Sequence, residues 1–325
     1  MRMISKMLAA GILAGAATTA RAEIPHVVTD IPPVHGLVAR VMQGLGTPDL
    51  VIPPGSSPHG YALRPSEAAG LARAGLVVWV GESLTPWLEQ PLDRLAGDAA
   101  HLELMAVPGT HLLEFREGAT FEPHSHEGEG GHDHDHDHAH DDHDHDHAEH
   151  DHHHEGADPH AWLDPQNGAL WLDAIAAELS RLDPEHAAEY AANAAAGREE
   201  IATAAAEAQA RLTPVQGRPF VVFHDAYHYF EAAFGLEAAG AISMGDASDP
   251  GPARVEEVRD LVRETGAVCA FSEPEFSDRL VDTVIEGSAA NKAHLDPLGA
   301  DLETGPGFYP ALIGSLAAAM AGCLG

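Results

Sequence analysis

The stretch PSEAAGLARAGLVVWV, residues 65–80, decides the fold class. Pro65 suits the first turn of a helix, and the residues after it predict a helix over 66–74. Gly75 ends this helix, and the continuous apolar run 76–80 has the length and composition of a buried strand. A helix that leads directly into a buried strand indicates a βαβ unit, and such units build parallel sheets.

The same alternation of strand and helix extends in both directions along the chain. Before residue 117 it predicts strands at 26–29, 50–52, 76–80 and 102–107 and helices at 34–43, 66–74 and 87–95. After residue 158 it predicts helices at 166–182, 185–212, 227–234, 252–265, 279–286 and 309–324, with strands at 220–223, 236–242, 268–271 and 293–295. We therefore predict an α/β protein with two parallel-sheet lobes.

A long helix is predicted between these halves. The segment after Pro184, rich in Ala, Glu and Arg, would extend about 40 Å at 1.5 Å per residue. We interpret it as a rigid strut between two lobes, the alternative being a surface helix within one domain. The predicted organisation is an export signal (1–22), an N-terminal lobe (23–182), a linking helix (183–212) and a C-terminal lobe (213–325).

The first 22 residues have the pattern of an export signal. Arg2 and Lys6 form a basic start, an apolar run follows over 7–17, and A-R-A at 20–22 matches a cleavage site. A buried helix or a membrane anchor is the alternative, but the apolar run is too short to span a bilayer. We therefore expect cleavage after Ala22 and residence in the periplasm.

The composition limits the kinds of partner. The chain has 325 residues, 45% of them hydrophobic, which is enough for two domains with real cores. Its formal net charge is −34, with 17 Lys and Arg against 51 Asp and Glu. Such acidity disfavours nucleic acid and anionic membranes as partners, and it attracts cations.

A histidine-rich tract interrupts the first lobe at 117–158. Between residues 124 and 154 it holds 14 of the chain's 24 histidines, alternating with aspartates. With so few apolar residues it cannot offset its ordering entropy, so we expect a disordered insert whose imidazoles and carboxylates bind metal. The predicted weak sites are His132, His134, His136, His138, His140, His143, His145 and His147.

The spacing within this insert limits how it can bind a metal ion. Residues i and i+2 of an extended chain are about 6.6–6.8 Å apart, whereas nitrogens sharing a tetrahedral zinc approach to roughly 3.3 Å. The insert must therefore curl or bind several ions loosely. We expect it to collect zinc or to sense its abundance near the main site; the alternative is a solubilising linker.

The only two cysteines are Cys269 and Cys323. In an oxidising compartment such a pair favours a disulfide, which would pin the C-terminal helix, over two buried reduced thiols. Closing a loop of this size would stabilise the fold by roughly 4 kcal/mol in the chain-entropy model.

Four polar residues outside the insert share one kind of position. His59, His224 and Asp296 follow predicted strands, and His160 lies in a proline-flanked turn. Ligands of open parallel sheets bind beyond the carboxyl ends of the strands, so two facing lobes would bring these residues together. Three imidazoles and a carboxylate form a tetrahedral set that suits zinc, in a cleft between the lobes.

Five motifs carry a family resemblance over essentially the whole chain after the export signal. They are HGYALRPSE at 59–67, PHAWLDP at 159–165, FHDAYHYFE at 223–231, SEPEF at 272–276 and LDPLG at 295–299. In these motifs the chain resembles the metal-binding receptors of ABC importers, the cluster A-I proteins, and specifically their zinc-specific periplasmic type (ZnuA-like). The insert just before PHAWLDP also resembles zinc-type members.

The resemblance implies His59, His160 and His224 as zinc ligands, with Asp296 or a water as the fourth. Manganese- and iron-type members have a carboxylate at the position of His224, and a third imidazole shifts preference toward zinc. Some zinc-type relatives have an acidic residue before the first ligand histidine. This chain has Pro58 there, which excludes a ligand from that position.

The resemblance also implies a Cys269–Cys323 disulfide and an α/β receptor that is not an enzyme. It would capture periplasmic Zn²⁺ with high affinity and deliver it to an ABC-type permease with a cytoplasmic ATPase, through limited movement between lobes. A periplasmic zinc chaperone is a further candidate partner, and we expect a monomer.

Two rival functions have different requirements. A periplasmic zinc buffer or metallochaperone would act mainly through the insert. A zinc hydrolase would use three histidines, a bound water and Asp296 as base, but the sequence contains no H-E-x-x-H motif to support it.

Overall fold

The computed structural model describes residues 24–116, 156–243 and 250–325 and contains two four-stranded parallel sheets. The predicted two-lobed α/β architecture is confirmed. The predicted export signal at 1–22 and the eight insert histidines selected above lie outside the described residues.

The first sheet has the strand order β2-β1-β3-β4. Its strands are β1 (Val27–Thr29), β2 (Asp49–Leu50), β3 (Leu76–Trp79) and β4 (Ala100–Glu103). Its connecting helices are α1 (Pro32–Val41), α2 (Pro65–Leu71) and α3 (Pro86–Leu95). Each of these helices begins at a proline, which fits the first turn because the nitrogen there needs no helical hydrogen bond.

The second sheet repeats this pattern with the order β6-β5-β7-β8. Its strands are β5 (Phe220–His224), β6 (Gly240–Ser243), β7 (Cys269–Ser272) and β8 (Asn291–His294). Its helices are α6 (His228–Phe234), α7 (Pro252–Thr265), α8 (Asp278–Ile285) and α9 (Phe308–Leu324). The strands β5, β6 and β7 are buried throughout, as expected for a parallel sheet covered on both faces.

Two further helices, α4 (Pro165–Leu182) and α5 (Ala187–Leu212), connect the sheets. The long helix α5 packs against α4 and α1 of the first half and against α9 of the second. It is therefore an interlobe helix that is supported along its length by other helices. One continuous hydrophobic core contains residues of both halves, from β1 to α9.

The close approach of α4 and α9 depends on a glycine. A Cβ atom on Gly168 would lie 2.4 Å from the ring of Tyr309, so only glycine fits without movement. The Tyr309 hydroxyl donates to the carbonyl oxygens of Trp162 (2.6 Å) and Asp164 (3.1 Å). This contact fastens the C-terminal helix to the segment that carries His160.

Some strand boundaries differ from the sequence prediction. The strand expected at 102–107 is observed at Ala100–Glu103, and the one expected at 236–242 is observed at Gly240–Ser243. β4 ends at Glu103, which pairs with Trp79, the last residue of β3. The N–H groups of Leu104 and Met105 still donate to the carbonyl oxygens of Trp79 and Val80, so this edge of the sheet continues as an irregular segment.

The predicted disulfide is confirmed: Cys269, at the start of β7, is bonded to Cys323 near the end of α9 across a sequence separation of 54. Within the described ranges, no helix has both the length and the apolar character that crossing a membrane requires.

Candidate metal centre

Three histidines converge where the two lobes meet. His59 lies in the loop after β2, His160 directly precedes the 3-10 turn Ala161–Leu163, and His224 is the last residue of β5. One ring nitrogen from each lies within 4.8 Å of the others. The carboxyl ends of the parallel strands thus supply a site, as this topology predicts.

The histidines differ in exposure. His160 is 1% exposed and His224 is 4% exposed, whereas His59 is only half-buried. His59 is therefore the histidine nearest to solvent. Its loop is held in place by the indole nitrogen of Trp87, which donates to the carbonyl oxygen of Pro58 at 2.7 Å.

A buried aspartate orients His160. One oxygen of Asp158 accepts from the backbone N–H of His160 at 2.9 Å and lies 2.7 Å from its Nδ1. Nδ1 therefore carries its hydrogen toward the carboxylate, and Nε2 remains as the ligand atom. Carboxylate–histidine pairs of this kind fix the tautomer and raise the basicity of metal-binding imidazoles.

A glutamate holds His224 in the same way. Oε2 of Glu273 lies 2.7 Å from His224 Nδ1, and both side chains are almost fully buried. Glu273 directly follows β7, so it lies at the same sheet edge as His224. Again Nε2 is left as the ligand atom.

Asp158 and Glu273 were not predicted to take part in the site, although the sequence contains a signal for each of them. Asp158 precedes its histidine by two residues, a spacing typical of aspartates that bond the backbone N–H two residues on. Glu273 occupies the same strand-end position that identified His224.

The structure does not bring Asp296 into the histidine cluster. One of its carboxylate oxygens accepts from the backbone N–H groups of Leu298 (2.9 Å) and Gly299 (2.7 Å). The other accepts from the N–H of Ala300 at 2.6 Å. The carboxylate thus stabilises the turn after β8, and in the described part of the chain the group of mutually close potential ligands contains the three histidines without it.

The histidines line a small cavity with partly apolar walls. The ring centroid of Trp162 lies 5.2 Å from that of His160, and the ring centroid of Phe276 lies 5.7 Å from that of His224. Both aromatic side chains line the cavity. The Trp162 indole nitrogen donates to the carbonyl oxygen of Pro297 at 2.8 Å, which ties the cavity wall to the second lobe. Such surroundings lower the local dielectric and strengthen charge interactions inside the cavity.

Acidic groups also surround the cavity. Glu273 and Glu275 line it, and Asp296 is close enough to act on both Tyr227 and Glu275 electrostatically. Burial, together with these carboxylates, holds the pKa of Tyr227 well above its usual value. Burial also raises the pKa of Glu275 to about 7, an effect that Asp296 and Glu273 reinforce. The site therefore favours a bound cation.

The last residues of the predicted insert belong to the folded part of the protein. Ala157 forms an antiparallel bridge with Glu114, and the Asp158 N–H donates to the carbonyl oxygen of Leu113 at 2.8 Å. The Tyr229 hydroxyl joins both segments, since it donates to the Asp158 carbonyl and accepts from the Leu113 N–H. The predicted boundary at 158 is therefore too late, because burial and hydrogen bonding fix these residues beside His160.

An ion-pair network lies at the other end of the insert, around Arg116, the last described residue before it. Arg116 forms an ion pair with Asp225 and reaches Glu231 at 2.9 Å, and all three side chains are largely buried. Because Arg116 precedes the insert and its partners belong to the β5–α6 region, this network joins the two lobes close to the cavity.

The chain matches, over residues 27–323, the family model described as "Zinc-uptake complex component A periplasmic". It is 51% identical over 322 residues to the high-affinity zinc uptake system protein ZnuA of Paracoccus denitrificans, which covers 99% of this chain and 98% of that protein. The chain belongs to the ZnuA family.

Two further ZnuA comparisons agree with this. The protein of the same name from Brucella abortus is 45% identical over 327 residues, covering 98% of each chain. A crystal structure of ZnuA has a TM-score of 0.73 at 22% identity, covering 93% of this chain and 100% of that one. The structural likeness shows the shared fold, and the sequence relatives show the family.

Proposed function

We propose that this chain is the zinc receptor of an ABC-type importer, which captures periplasmic Zn²⁺ with high affinity and delivers it to the permease. The observation that carries the proposal is the convergence of three histidine nitrogens within 4.8 Å in a chain of the ZnuA family. The family is one of periplasmic zinc-binding receptors, not of enzymes. Zinc would be the cargo of this receptor, not a resident cofactor.

His59, His160 and His224 are the proposed ligands. Three neutral imidazoles favour zinc over manganese, because harder ions prefer oxygen donors. The carboxylates on the Nδ1 atoms of His160 and His224 support this assignment, since they leave Nε2 ready for a metal. His59, the most exposed of the three, is the natural first contact for an incoming ion.

Delivery would involve limited movement between the lobes. The shared core and the packing of α5 against helices of both halves oppose wide hinge opening. We therefore expect small adjustments of the loop that carries His59 and of the end of β5 that carries His224. The proposed organisation remains an export signal (1–22), two lobes (23–182 and 213–325) and the linking segment 183–212, in a monomer that works with the permease and its ATPase.

The insert is proposed as an accessory collector of zinc. Its two ends are anchored at Arg116 and Asp158, and Asp158 contacts the ligand His160 directly. Weakly held ions would therefore be released next to the main site. A periplasmic zinc chaperone, a further proposed partner, would deliver its ion at the same place, beside the main site.

The hydrolase alternative gains no support from the geometry. It requires Asp296 to act as a base on a metal-bound water. Both oxygens of that carboxylate instead accept backbone N–H groups of the turn after β8.

The decisive experiment is a zinc titration of a variant that lacks residues 117–155. The deletion ends there so that Ala157 and Asp158 keep their contacts with the first lobe. We expect one tightly bound zinc to remain and to be lost when His224→Ala is added. His101→Ala is the matched control, because His101 is an exposed histidine on β4 that is not part of the ligand cluster. If tight binding disappears with the insert alone, the buffer function replaces the receptor function.

A further inference from the structure

Glu275 carries an unusual carboxylate. It lies in the loop between β7 and α8 and lines the same cavity as the three histidines. Its Oε1 atom is buried, and among the described residues no hydrogen-bond donor reaches it. A buried carboxylate oxygen without a donor destabilises the fold, so its retention points to a ligand.

The neighbouring carboxylates are already engaged. Glu273, which also lines the cavity, is used by His224, and Asp158 is used by His160. Asp296 is held by three backbone N–H groups. Of the described acidic groups around the cavity, Glu275 is therefore the one whose buried oxygen accepts no hydrogen bond and pairs with no histidine.

Zinc in a closed site takes four ligands, and the histidines supply three. We propose that Glu275 closes the fourth coordination position, turning its buried oxygen toward the ion as the histidines close around it. The proposal rests on the proposed function, because it concerns the same ion.

Binding would draw these groups closer together. The histidine nitrogens lie within 4.8 Å of one another, and nitrogens that share one tetrahedral zinc approach to roughly 3.3 Å. Among the described residues, Glu275 is not one of the side chains that already lie within this distance, so it must rotate toward the ion as the ion binds.

The electrostatics favour this arrangement. Burial and the nearby carboxylates of Asp296 and Glu273 disfavour an unpaired negative charge on Glu275, and a divalent cation would offset that cost. The ion would then take two ligands from each half of the chain: His59 and His160 from the first, His224 and Glu275 from the second. Bound zinc would thus cross-link the lobes, giving the permease a loaded form to distinguish from the empty one.

The test compares Glu275→Gln with the wild-type full chain. One equivalent of Zn²⁺ is titrated against a competing chelator, and one equivalent of Co²⁺ is added separately to record its visible d–d absorption, which reports ligand type and geometry. We expect Glu275→Gln to lower zinc affinity at least tenfold and to change the cobalt spectrum, and Glu275→Asp to retain part of the affinity. Glu264→Gln is the matched control, since it removes one negative charge from an exposed position on α7.

Three outcomes would separate the possibilities. Unchanged affinity and spectrum in Glu275→Gln would overturn the inference. A changed spectrum in Asp296→Asn but not in Glu275→Gln would assign the fourth position to Asp296 and would also overturn it. If the wild-type chain itself binds no zinc tightly, the proposed function fails, whatever Glu275 does.

Thermal unfolding of the metal-free proteins shows whether a loss of zinc affinity in the variant is caused only by misfolding. Because Glu275→Gln removes a poorly solvated carboxylate, we expect the metal-free variant to melt at or above the wild-type temperature. With zinc present, the stabilisation by the ion should be smaller in the variant than in the wild type, following its weaker binding.

Discussion

At the residue scale, two carboxylates orient the histidines of the candidate site through their Nδ1 atoms. Asp158 and Glu273 each sit 2.7 Å from the Nδ1 atom of a histidine and are almost fully buried. They select the tautomer in which Nε2 carries no hydrogen and can act as a metal ligand, and they hold the ring in one orientation. The histidines of the site are therefore oriented before the ion arrives.

Replacing Asp158 with Asn should weaken zinc binding without abolishing it. The amide can still accept the backbone N–H of His160 but no longer carries the negative charge that raises imidazole basicity. We expect zinc affinity to fall about 10- to 100-fold, measured by competition with a chelator. Asp173→Asn, which alters an exposed aspartate on α4, is the control. Equal affinity in both variants would show that the aspartate does not tune the site.

The convergence of the three histidines could be predicted because strand ends and a proline-flanked turn are visible in the sequence, and because the motifs around them resemble those of a known family. The fourth position could not, because a carboxylate after a strand can face either the cleft or its own turn. Asp296 faces the turn, where the N–H groups of Leu298, Gly299 and Ala300 are available to it. Local sequence does not distinguish these two directions.

At the element scale, the C-terminal helix is fastened to the second sheet. The disulfide joins β7 to α9, and Cys269 stands at the opposite end of β7 from Glu273. The bond therefore supports the lobe from the side remote from the histidines.

Removing this disulfide should lower the stability of the fold and leave zinc binding by the three histidines almost unchanged. For the double variant Cys269→Ser/Cys323→Ser, we expect the free energy of unfolding to fall by about 4 kcal/mol, following the entropy of the loop that the bond closes. Zinc affinity should stay within about twofold of wild type. Urea unfolding and chelator competition measure the two effects. A large loss of affinity with little change in stability would contradict this separation of roles.

A second prediction at this scale concerns the ion pairs of Arg116, which lies directly before the insert. Arg116→Met leaves Asp225 and Glu231 buried without their cation, and breaking a buried pair in this way costs about 3–5 kcal/mol. Burial already raises the pKa of Asp225, and losing Arg116 removes the main opposing influence. The folded variant will then bind protons more readily than the unfolded one, so its stability should fall as pH rises.

Urea unfolding at pH 5 and pH 8 tests this directly. The deficit of Arg116→Met relative to wild type should be larger at pH 8, where the Asp225 carboxylate must ionise without its cationic partner. The control is Arg198→Met, because Arg198 pairs with Asp173 at an exposed position, where ion pairs contribute only about 0–1 kcal/mol. A deficit independent of pH would mean that packing, not charge, explains the loss.

At the scale of the whole molecule, zinc capture should depend on pH. Imidazole binds metal only when neutral, and its ordinary pKa is about 6.5, so protons compete with zinc in mildly acidic solution. We expect the affinity of the variant lacking 117–155 to be nearly constant above about pH 7.5 and to fall steeply toward pH 6. Chelator competition at several pH values measures this. Constant affinity from pH 8 to 5.5 would exclude a site built from three histidines.

From the amino-acid pattern one can predict the α/β class, the two lobes, the long helix α5, the cysteine pair and the convergence of three histidines. These features follow from local signals: periodic apolar residues, prolines and glycines at helix ends, and polar residues directly after strands. Only the folded protein shows that Asp158 and Glu273 orient the histidines, that Arg116 joins the lobes, and that Glu275 has a buried oxygen without a donor in the cavity. A side chain's direction and partners depend on segments far away in sequence, and these segments meet only when the two lobes pack together.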